Sequence, residues 1–590
     1  MLNKTLIFFA LSLFAIMPGY GEVLVKEYAL SNPVIMNSSI EINGLLKTAD
    51  PGKPILPFKQ ARILLPSGGK LSQVEIIREH TESLTPPRQL EISSGFIGGR
   101  VDTFVTSDNL DLTGPYLKND IDYNIQKYKG ANILLVNLYP VYIDQHNAFY
   151  FSPKVKVVIT FEFAQNKNTN TILGRDWADI KDFVDNTELL DTYPVWKNNT
   201  QDNYDYLIVT TNAFTDSKSL KKYTTYLLEE RNLTTKVINI DKELRRWEGV
   251  DNAQKLRNLI KNEYQKYAPR FLLLVGDSDG ASPLIPVRKL FASVRGYIGG
   301  SWRLFNEYIP SDFYYGCLDG DFNYDGDNKW GEPGDGDQGS EVDLLCELTV
   351  GRFPVDSEKQ LETIIEKTKA AINLGARSKK VLMLGELLFE EMDLWGADYM
   401  NQLLGTVDDH GFISRGYDAS WSVFKLYEKE QAWNSKAAIN MIEKENPLMV
   451  NHLGHSSETM NMKISSFNYK GMNNKDPYFY YSQGCLAANF IKNDSIIEKM
   501  VFTKGGPFAV IANSAYGLGP EDPEFGNVKY PGTSQILHRY FINRVLNDQY
   551  LDFGKAHQGS KEDILRYIAF QEARWVIWVA NYFGDPTIAP

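Results

Sequence analysis

From Val23 to Asn170 the chain alternates apolar and polar positions in short runs, such as Ala61 to Leu65, Lys70 to Ile77 and Val155 to Phe163, each closed by Pro, Gly or Asn. A period of two puts successive side chains on opposite faces of a strand, so this stretch is expected to be all-β. The pattern changes at Tyr204. Apolar runs of strand length then alternate with longer stretches of helical spacing: Tyr206 to Thr210, a helix at Ser217 to Glu230, Thr235 to Ile240, another helix, and Phe271 to Val275. Lys380 to Gly385, Pro447 to Leu453, Tyr478 to Gln483 and Pro507 to Ala512 continue the rhythm. Strands that are apolar on both faces and separated by helices predict an α/β domain with a mostly parallel central sheet, covered on both sides. Ligands then gather at the carboxyl edge of the strands. Residues 171–203 are polar, with Asp176, Asp179, Asp182, Asp185 and several Asn, and read as a linker and processing region.

A chain of 590 residues exceeds what one hydrophobic core supports, which agrees with two differently patterned halves. The expected organisation is 1–21, 22–170, 171–203 and 204–590. At the start, Lys4 precedes an apolar run from Thr5 to Met17 and the small residues Gly19 and Gly21. This is the layout of a secretory signal peptide cleaved near Gly21, and it predicts export to the periplasm, the cell surface or the medium. The run is too short to span a bilayer comfortably, and no later apolar run approaches the ~20 residues that a transmembrane helix needs. A formal charge of -12 and a pI near 5.3 argue against a nucleic-acid partner.

The three cysteines, Cys317, Cys346 and Cys485, leave an odd thiol in an exported chain. Sequence spacing does not decide whether Cys317 and Cys346 pair; if they do, Cys485 is the free one. Cys485 follows the apolar strand ending at Gln483, and His455 follows the one ending at Leu453. If those strands are neighbours, thiol and imidazole leave adjacent strand ends and share a crevice. A thiol near pKa ~8.5 is mostly protonated at neutral pH; an imidazole beside it takes that proton and returns it to a leaving amine. The plain alternative is a turn-capping histidine and a small buried cysteine. His452 raises zinc as another, but on an extended strand it faces away from His455, and no ligand set accompanies the two.

Asp321-Phe322-Asn323-Tyr324-Asp325-Gly326-Asp327-Asn328-Lys329-Trp330-Gly331-Glu332 fits the calcium-loop pattern, with oxygen-bearing Asp321, Asn323, Asp325, Asp327 and Glu332 around a turn at Gly326. The expected cofactor is a structural Ca2+; a solvated acidic loop is the alternative.

Asn451-His452-Leu453-Gly454-His455-Ser456-Ser457-Glu458-Thr459 and Gln483-Gly484-Cys485 resemble the catalytic segments of the gingipain family of cysteine peptidases. Leu273-Leu274-Val275-Gly276-Asp277, Ser311-Asp312-Phe313-Tyr314-Tyr315-Gly316, Val350-Gly351-Arg352-Phe353 and Phe583-Gly584-Asp585-Pro586-Thr587 are similar to further family segments in the same order. Pro51 to Pro57 and Leu65 to Gly69 resemble its pro-region. The resemblance implies a caspase-like α/β sandwich preceded by a β-rich pro-domain that acts as its own inhibitor. It also implies hydrolysis of protein or peptide substrates through a thioacyl on Cys485, with His455 as general acid and base and backbone N–H groups holding the oxyanion. Glu386 matches the family's His-orienting acid, and Asp398 the acid that selects a basic P1 side chain. Ser456 stands where the family commonly has glycine. A catalytically silent surface binding or assembly protein and a calcium-dependent adhesin are the competing readings. Retention of both His455 and Cys485 argues against the first, and the lack of repeated β modules against the second.

Overall fold

The computed structural model describes residues 12–15, 22–47, 54–91, 104–106, 122–144, 146–163, 171–196, 203–298, 301–336, 341–373, 379–390, 393–409, 412–519, 532–547, 552–567 and 571–589. Two units emerge: residues 1–197 with 336–345 and 408–412, and residues 198–335 with 346–407 and 413–590.

The first unit is β-rich. Strands β1 (Ser12–Ala15), β2 (Glu22–Ala29), β3 (Pro57–Leu64), β4 (Gly69–Glu79), β5 (Asp122–Tyr128), β6 (Ala131–Leu138) and β7 (Lys154–Phe163) build two antiparallel sheets, ordered β1-β2-β7-β4 and β5-β6-β3. In β7 every second side chain from Val155 to Phe161 is buried, the alternation seen in the sequence. Of the expected signal segment, Ser12–Ala15 pairs with β2; residues 1–11 and 16–21 lie outside the described residues.

The stretch read as a linker is folded into this unit up to residue 196. Helix α1 (Trp177–Phe183) lies within it, and Ile172–Leu173 pairs with Val195–Trp196. Its polar residues satisfy the open edge of β3: Asp185 accepts the Arg62 N–H at 3.0 Å, and Asn186 exchanges two hydrogen bonds with Leu64, at 2.6 and 2.9 Å. A strand edge needs such partners, and local polarity alone does not distinguish them from solvated loop.

The second unit centres on a ten-stranded sheet. Its strands are β8 (Tyr206–Thr210), β9 (Thr235–Asn239), β10 (Phe271–Val275), β11 (Thr349–Phe353), β12 (Lys380–Gly385), β13 (Ser422–Tyr427), β14 (Met449–Leu453), β15 (Phe479–Ser482), β16 (Ala509–Asn513) and β17 (Ala580–Phe583), in the order β9-β8-β10-β11-β17-β16-β15-β14-β12-β13. Neighbours are parallel throughout except β16 and β17. The fold is therefore mixed α/β with a mostly parallel sheet, preceded in the chain by a β-rich N-terminal unit.

Helices α2 (Lys218–Arg231), α3 (Asn252–Tyr267), α4 (Glu358–Asn373), α5 (Gly396–Asn401), α6 (Ser435–Glu445), α7 (Ile496–Phe502), α8 (Thr533–Asn547), α9 (Phe553–Ile564) and α10 (Gln571–Val579) accompany the sheet. Ser217 and Asp251 cap α2 and α3 through their side chains. Along β15 the side chains divide between two cores. Tyr478 and Tyr480 join one that includes α4 and α7, whereas Phe479 stacks on Phe541 and Phe553, and Tyr481 stacks on His538. Strand β11 was not anticipated, because Gly351 and Arg352 interrupt its apolar pattern. A Cβ on Gly351 would lie 2.3 Å from Gly584 O, and the fully buried Arg352 forms a bidentate pair with Asp312. Cys317 and Cys346 are buried free thiols with sulfurs 3.1 Å apart.

Phe479→Ala removes the centre of the aromatic stack on β15 and is expected to cost about 3–5 kcal/mol, read as a lower urea midpoint for the second unit.

Candidate active site

Strands β14 and β15 are parallel neighbours with His452 opposite Ser482, and the Gln483 N–H donates to His452 O at 3.1 Å. His455 and Cys485 each lie three residues beyond that matched pair. The two side chains thus leave adjacent strands at the same height on the carboxyl edge.

His455 is exposed, and its Nε2 lies 2.9 Å from Leu388 O, with the Phe389 ring edge-on beside it. A carbonyl only accepts, so Nε2 carries the proton and the lone pair of the neutral ring is on Nδ1. Cys485 is half-buried, with Sγ 4.0 Å from Gly517 O. Burial pushes its thiol up, partly opposed by main-chain groups of Gly517 and of Cys485 itself. The thiol therefore rests protonated at neutral pH, and among the described residues no hydrogen bond joins it to His455. Beyond it the chain turns sharply: Leu486 adopts φ +59°, a left-handed conformation costly for a bulky residue. That turn is held by Leu486 N–H on Ala515 O at 2.8 Å and Ala488 N–H on Asn513 O at 3.0 Å.

Among the described residues no hydrogen bond joins Glu386 to the His455 ring. Glu386 follows β12, packs its carboxyl over Gly454, and places Oε1 3.0 Å from Nε2 of the buried His452. The hydrogen bond at His455 Nε2 goes to the Leu388 carbonyl. His452 Nδ1 meets Ser482 Oγ at 3.0 Å, and Asn461 Nδ2 donates to Ser482 Oγ at 2.9 Å and to Ser456 Oγ at 2.7 Å. Tyr480 OH completes the chain on Asn461 Oδ1. This buried network beneath the site was missed; its signal was the pair Asn451-His452 inside an otherwise apolar strand. Glu428, at the end of β13, was also missed. Burial works to raise its carboxyl, but Lys463, the Leu387 N–H and the charge of His455 hold it below the usual range. Glu428 is brought to this edge by strand order that no local motif announces.

Asp398, on α5, has both oxygens 2.8 Å from Lys429 Nζ. In the acidic loop, Asp325, Asp327 and Glu332 bring ligand oxygens within 4.8 Å of one another, and Gly326 turns at φ +75°. Asn323 Oδ1 beside them is buried without a partner, whereas Asp321 Oδ1 accepts the Asn323 N–H at 3.0 Å. Lys329 Nζ stands 3.4 Å from Glu332. An all-oxygen donor set with an orphaned amide oxygen fits a hard cation such as calcium.

Residues 199–590 match the model of peptidase family C25. The chain belongs to that family, the gingipains. Its members are cysteine peptidases, which is the chemistry that a thiol and an imidazole on adjacent strand ends would serve. The crystal structure of the Arg-specific cysteine proteinase gingipain R (RgpB) aligns at 17% identity with a TM-score of 0.45, covering 67% of this chain and 80% of that one. A structure described as a protease aligns at 16% identity with a TM-score of 0.45, covering 66% and 78%. The complex of Porphyromonas gingivalis RgpB pro- and mature domains aligns at 14% identity with a TM-score of 0.21, covering 30% and 96%. Comparison with curated proteins gives no match. No helix among the described residues is long and apolar enough to cross a membrane.

One departure from the family pattern has a local partner. A Cβ on Gly484 would come 1.9 Å from Ser456 Oγ, so the serine after His455 fills the space beside the residue before Cys485. Gly484→Ala is expected to lower stability by about 1–3 kcal/mol through overpacking, and Ser456→Gly in the same chain to restore most of it, both read by thermal unfolding.

Proposed function

We propose that this C25 chain is an exported cysteine endopeptidase made as a zymogen, with Cys485 as nucleophile and His455 as general acid and base. The observation that supports it is the matched placement of these two side chains beyond paired residues of adjacent parallel strands. With Leu388 O holding Nε2–H, the Nδ1 lone pair of His455 accepts the thiol proton. The thiolate attacks the scissile carbonyl, and a C–S bond forms as the carbonyl π electrons move to oxygen. The N–H of Cys485 and that of the residue after His455 are the natural donors to this oxyanion. Collapse breaks the C–N bond, and His455 returns the proton to the departing amine. Water, deprotonated by the same imidazole, then hydrolyses the thioacyl. Glu428 stabilises the imidazolium that forms in each half-reaction.

The β-rich unit is the proposed inhibitory pro-domain, released by cleavage within 197–203, and residues 1–21 the signal for export. A structural Ca2+ is proposed for the acidic loop through Asp325, Asp327 and Glu332, with Asn323 alongside; Asp321 is the weakest of the expected ligands, since it lies outside the group whose oxygens converge. The silent-relative reading keeps one supporting observation, the absence of a hydrogen bond between His455 and Cys485, although catalytic contacts often form only in the substrate complex.

Peptidyl acyloxymethyl ketones with varied P1, applied to the full chain and to a chain cleaved at 197–203, are expected to label Cys485 in the cleaved form, with Cys485→Ala and His455→Ala unlabelled. Equal labelling of both forms would remove the inhibitory role of the first unit, and no labelling of the cleaved, reduced, calcium-loaded form would leave a silent relative. Lys429 neutralises Asp398 in the resting chain, so Lys429→Ala is expected to raise kcat/KM for Arg over neutral P1 substrates by about tenfold, the effect of one charge-assisted pair. An unchanged ratio would take Asp398 out of the specificity pocket.

A further inference from the structure

The helical turn Phe313–Gly316 leads into Cys317, and Cys346 comes three residues before β11. Between them lie residues 318–345, the stretch that carries the acidic loop. Both cysteines are buried, Cys317 completely and Cys346 to 6% exposure, and their sulfurs are 3.1 Å apart. A disulfide needs ~2.05 Å, so about 1 Å of sulfur movement separates the pair from a covalent bond. The two segments approach this closely because residue 316 is glycine: a Cβ there would lie 2.9 Å from Leu348 O and 3.3 Å from Cys346 Sγ.

The main chain is pinned on both sides of the pair. The Glu347 and Leu348 N–H groups donate to Gly316 O at 3.0 and 3.2 Å, and the Leu318 N–H donates to Glu347 Oε2 at 2.7 Å. Arg257 Nε, on α3, donates to Cys317 O at 2.9 Å, and Gln558 Nε2, on α9, to Cys346 O at 2.7 Å. With the backbone fixed in this way, small rotations about the side-chain bonds bring the sulfurs together. Lys561, also on α9, adds a charge. Its buried ammonium donates to Ala580 O at 2.7 Å. Burial lowers it to about 8, a fall opposed by the charge that Cys346 and Cys317 carry as thiolates. The same attraction favours the thiolate, which is the form that attacks a disulfide. Cys485 stands apart, its sulfur 4.0 Å from Gly517 O.

We propose that Cys317 and Cys346 form a disulfide as the chain folds in an oxidising compartment, closing residues 318–345 into a covalent loop at its base. The electron acceptor is a reactive disulfide of that compartment. One cysteine thiolate attacks it, a new S–S bond forms, and one half of the acceptor leaves as a thiolate. The second cysteine thiolate then attacks the sulfur of the first, and the other half leaves. Two cysteine thiols thereby lose two protons and two electrons, and the acceptor becomes two thiols. Both sulfurs are buried in the folded chain, so the exchange takes place before the segment closes over them. The bond accounts for the odd cysteine count, since Cys485 is then the single thiol left for catalysis. It also keeps the Asp- and Gly-rich stretch joined to the domain if a peptidase cuts within it. The inference draws on the export reading only for the compartment that supplies the acceptor.

The test uses the full chain with Cys485→Ala, which leaves two cysteines and prevents self-cleavage, sent to an oxidising compartment behind an added signal of established export. The chain is recovered without reductant, denatured, alkylated with iodoacetamide and digested with trypsin, which cuts at Lys329 between the two cysteines. One linked pair of peptides holding Cys317 and Cys346 is expected, with neither residue alkylated; reduction before alkylation is expected to separate the peptides and modify both. The oxidised chain is also expected to melt about 4 °C above its reduced form, as a cross-link around a loop of this length predicts, and Cys346→Ser to show no such gap. Complete alkylation of both cysteines without reduction overturns the proposal, as do links between chains in place of the link within one. The peptide result needs no change at either cysteine, so a misfolded Cys346→Ser cannot mask it. Because the export signal is supplied, a chain that its own residues 1–21 fail to export overturns the export reading alone.

Discussion

The geometry of the candidate site depends on the parallel pairing of β14 with β15 at His452 and Ser482. A sheet alternates its faces with period two, so a slip of one residue would carry His452 out of the interior and rotate Cys485 away from the edge where His455 emerges. Hydrophobicity alone holds such a register weakly in strands that are apolar on both faces, because either face is buried. What makes the register unique is polar. Glu386, His452, Ser482, Asn461 and Tyr480 form a buried chain of hydrogen bonds, and any other alignment would leave several of them without partners.

The same network takes up the Glu386 carboxylate. Glu386 stands at the end of β12 and against Gly454, and the fully buried imidazole at 452 is its hydrogen-bond partner. His455 meets a main-chain carbonyl, that of Leu388, which fixes its tautomer without charge.

Most of the sheet was legible because buried strands between helices leave a strong signal: Tyr206–Thr210, Phe271–Val275 and Lys380–Gly385 have the limits that their apolar runs indicate. Strand β11 was hidden by Gly351 and Arg352, whose reasons lie in distant residues, Gly584 and Asp312. The antiparallel junction of β16 and β17 was equally hidden, since α10 enters β17 without a turn residue between them. In the site, the positions of His455 and Cys485 could be read from what precedes them. The partners of Glu386 and Asp398 could not, because Lys429 and His452 come near them only through the neighbour relations of β12, β13 and β14. Residues 171–196 were misread for a related reason: an aspartate that satisfies a strand edge looks locally like one that faces water.

Gly484 and Ser456 illustrate how such distant relations constrain change. The serine at 456 fits only beside glycine at 484, since its hydroxyl occupies the volume a side chain at 484 would need. The order of substitutions is therefore not free. A lineage starting from this chain can gain a side chain at 484 only after 456 has become glycine, whereas one that begins with glycine at both positions can acquire the serine at once. The crevice between the two loops thus has a direction of evolution built into its packing.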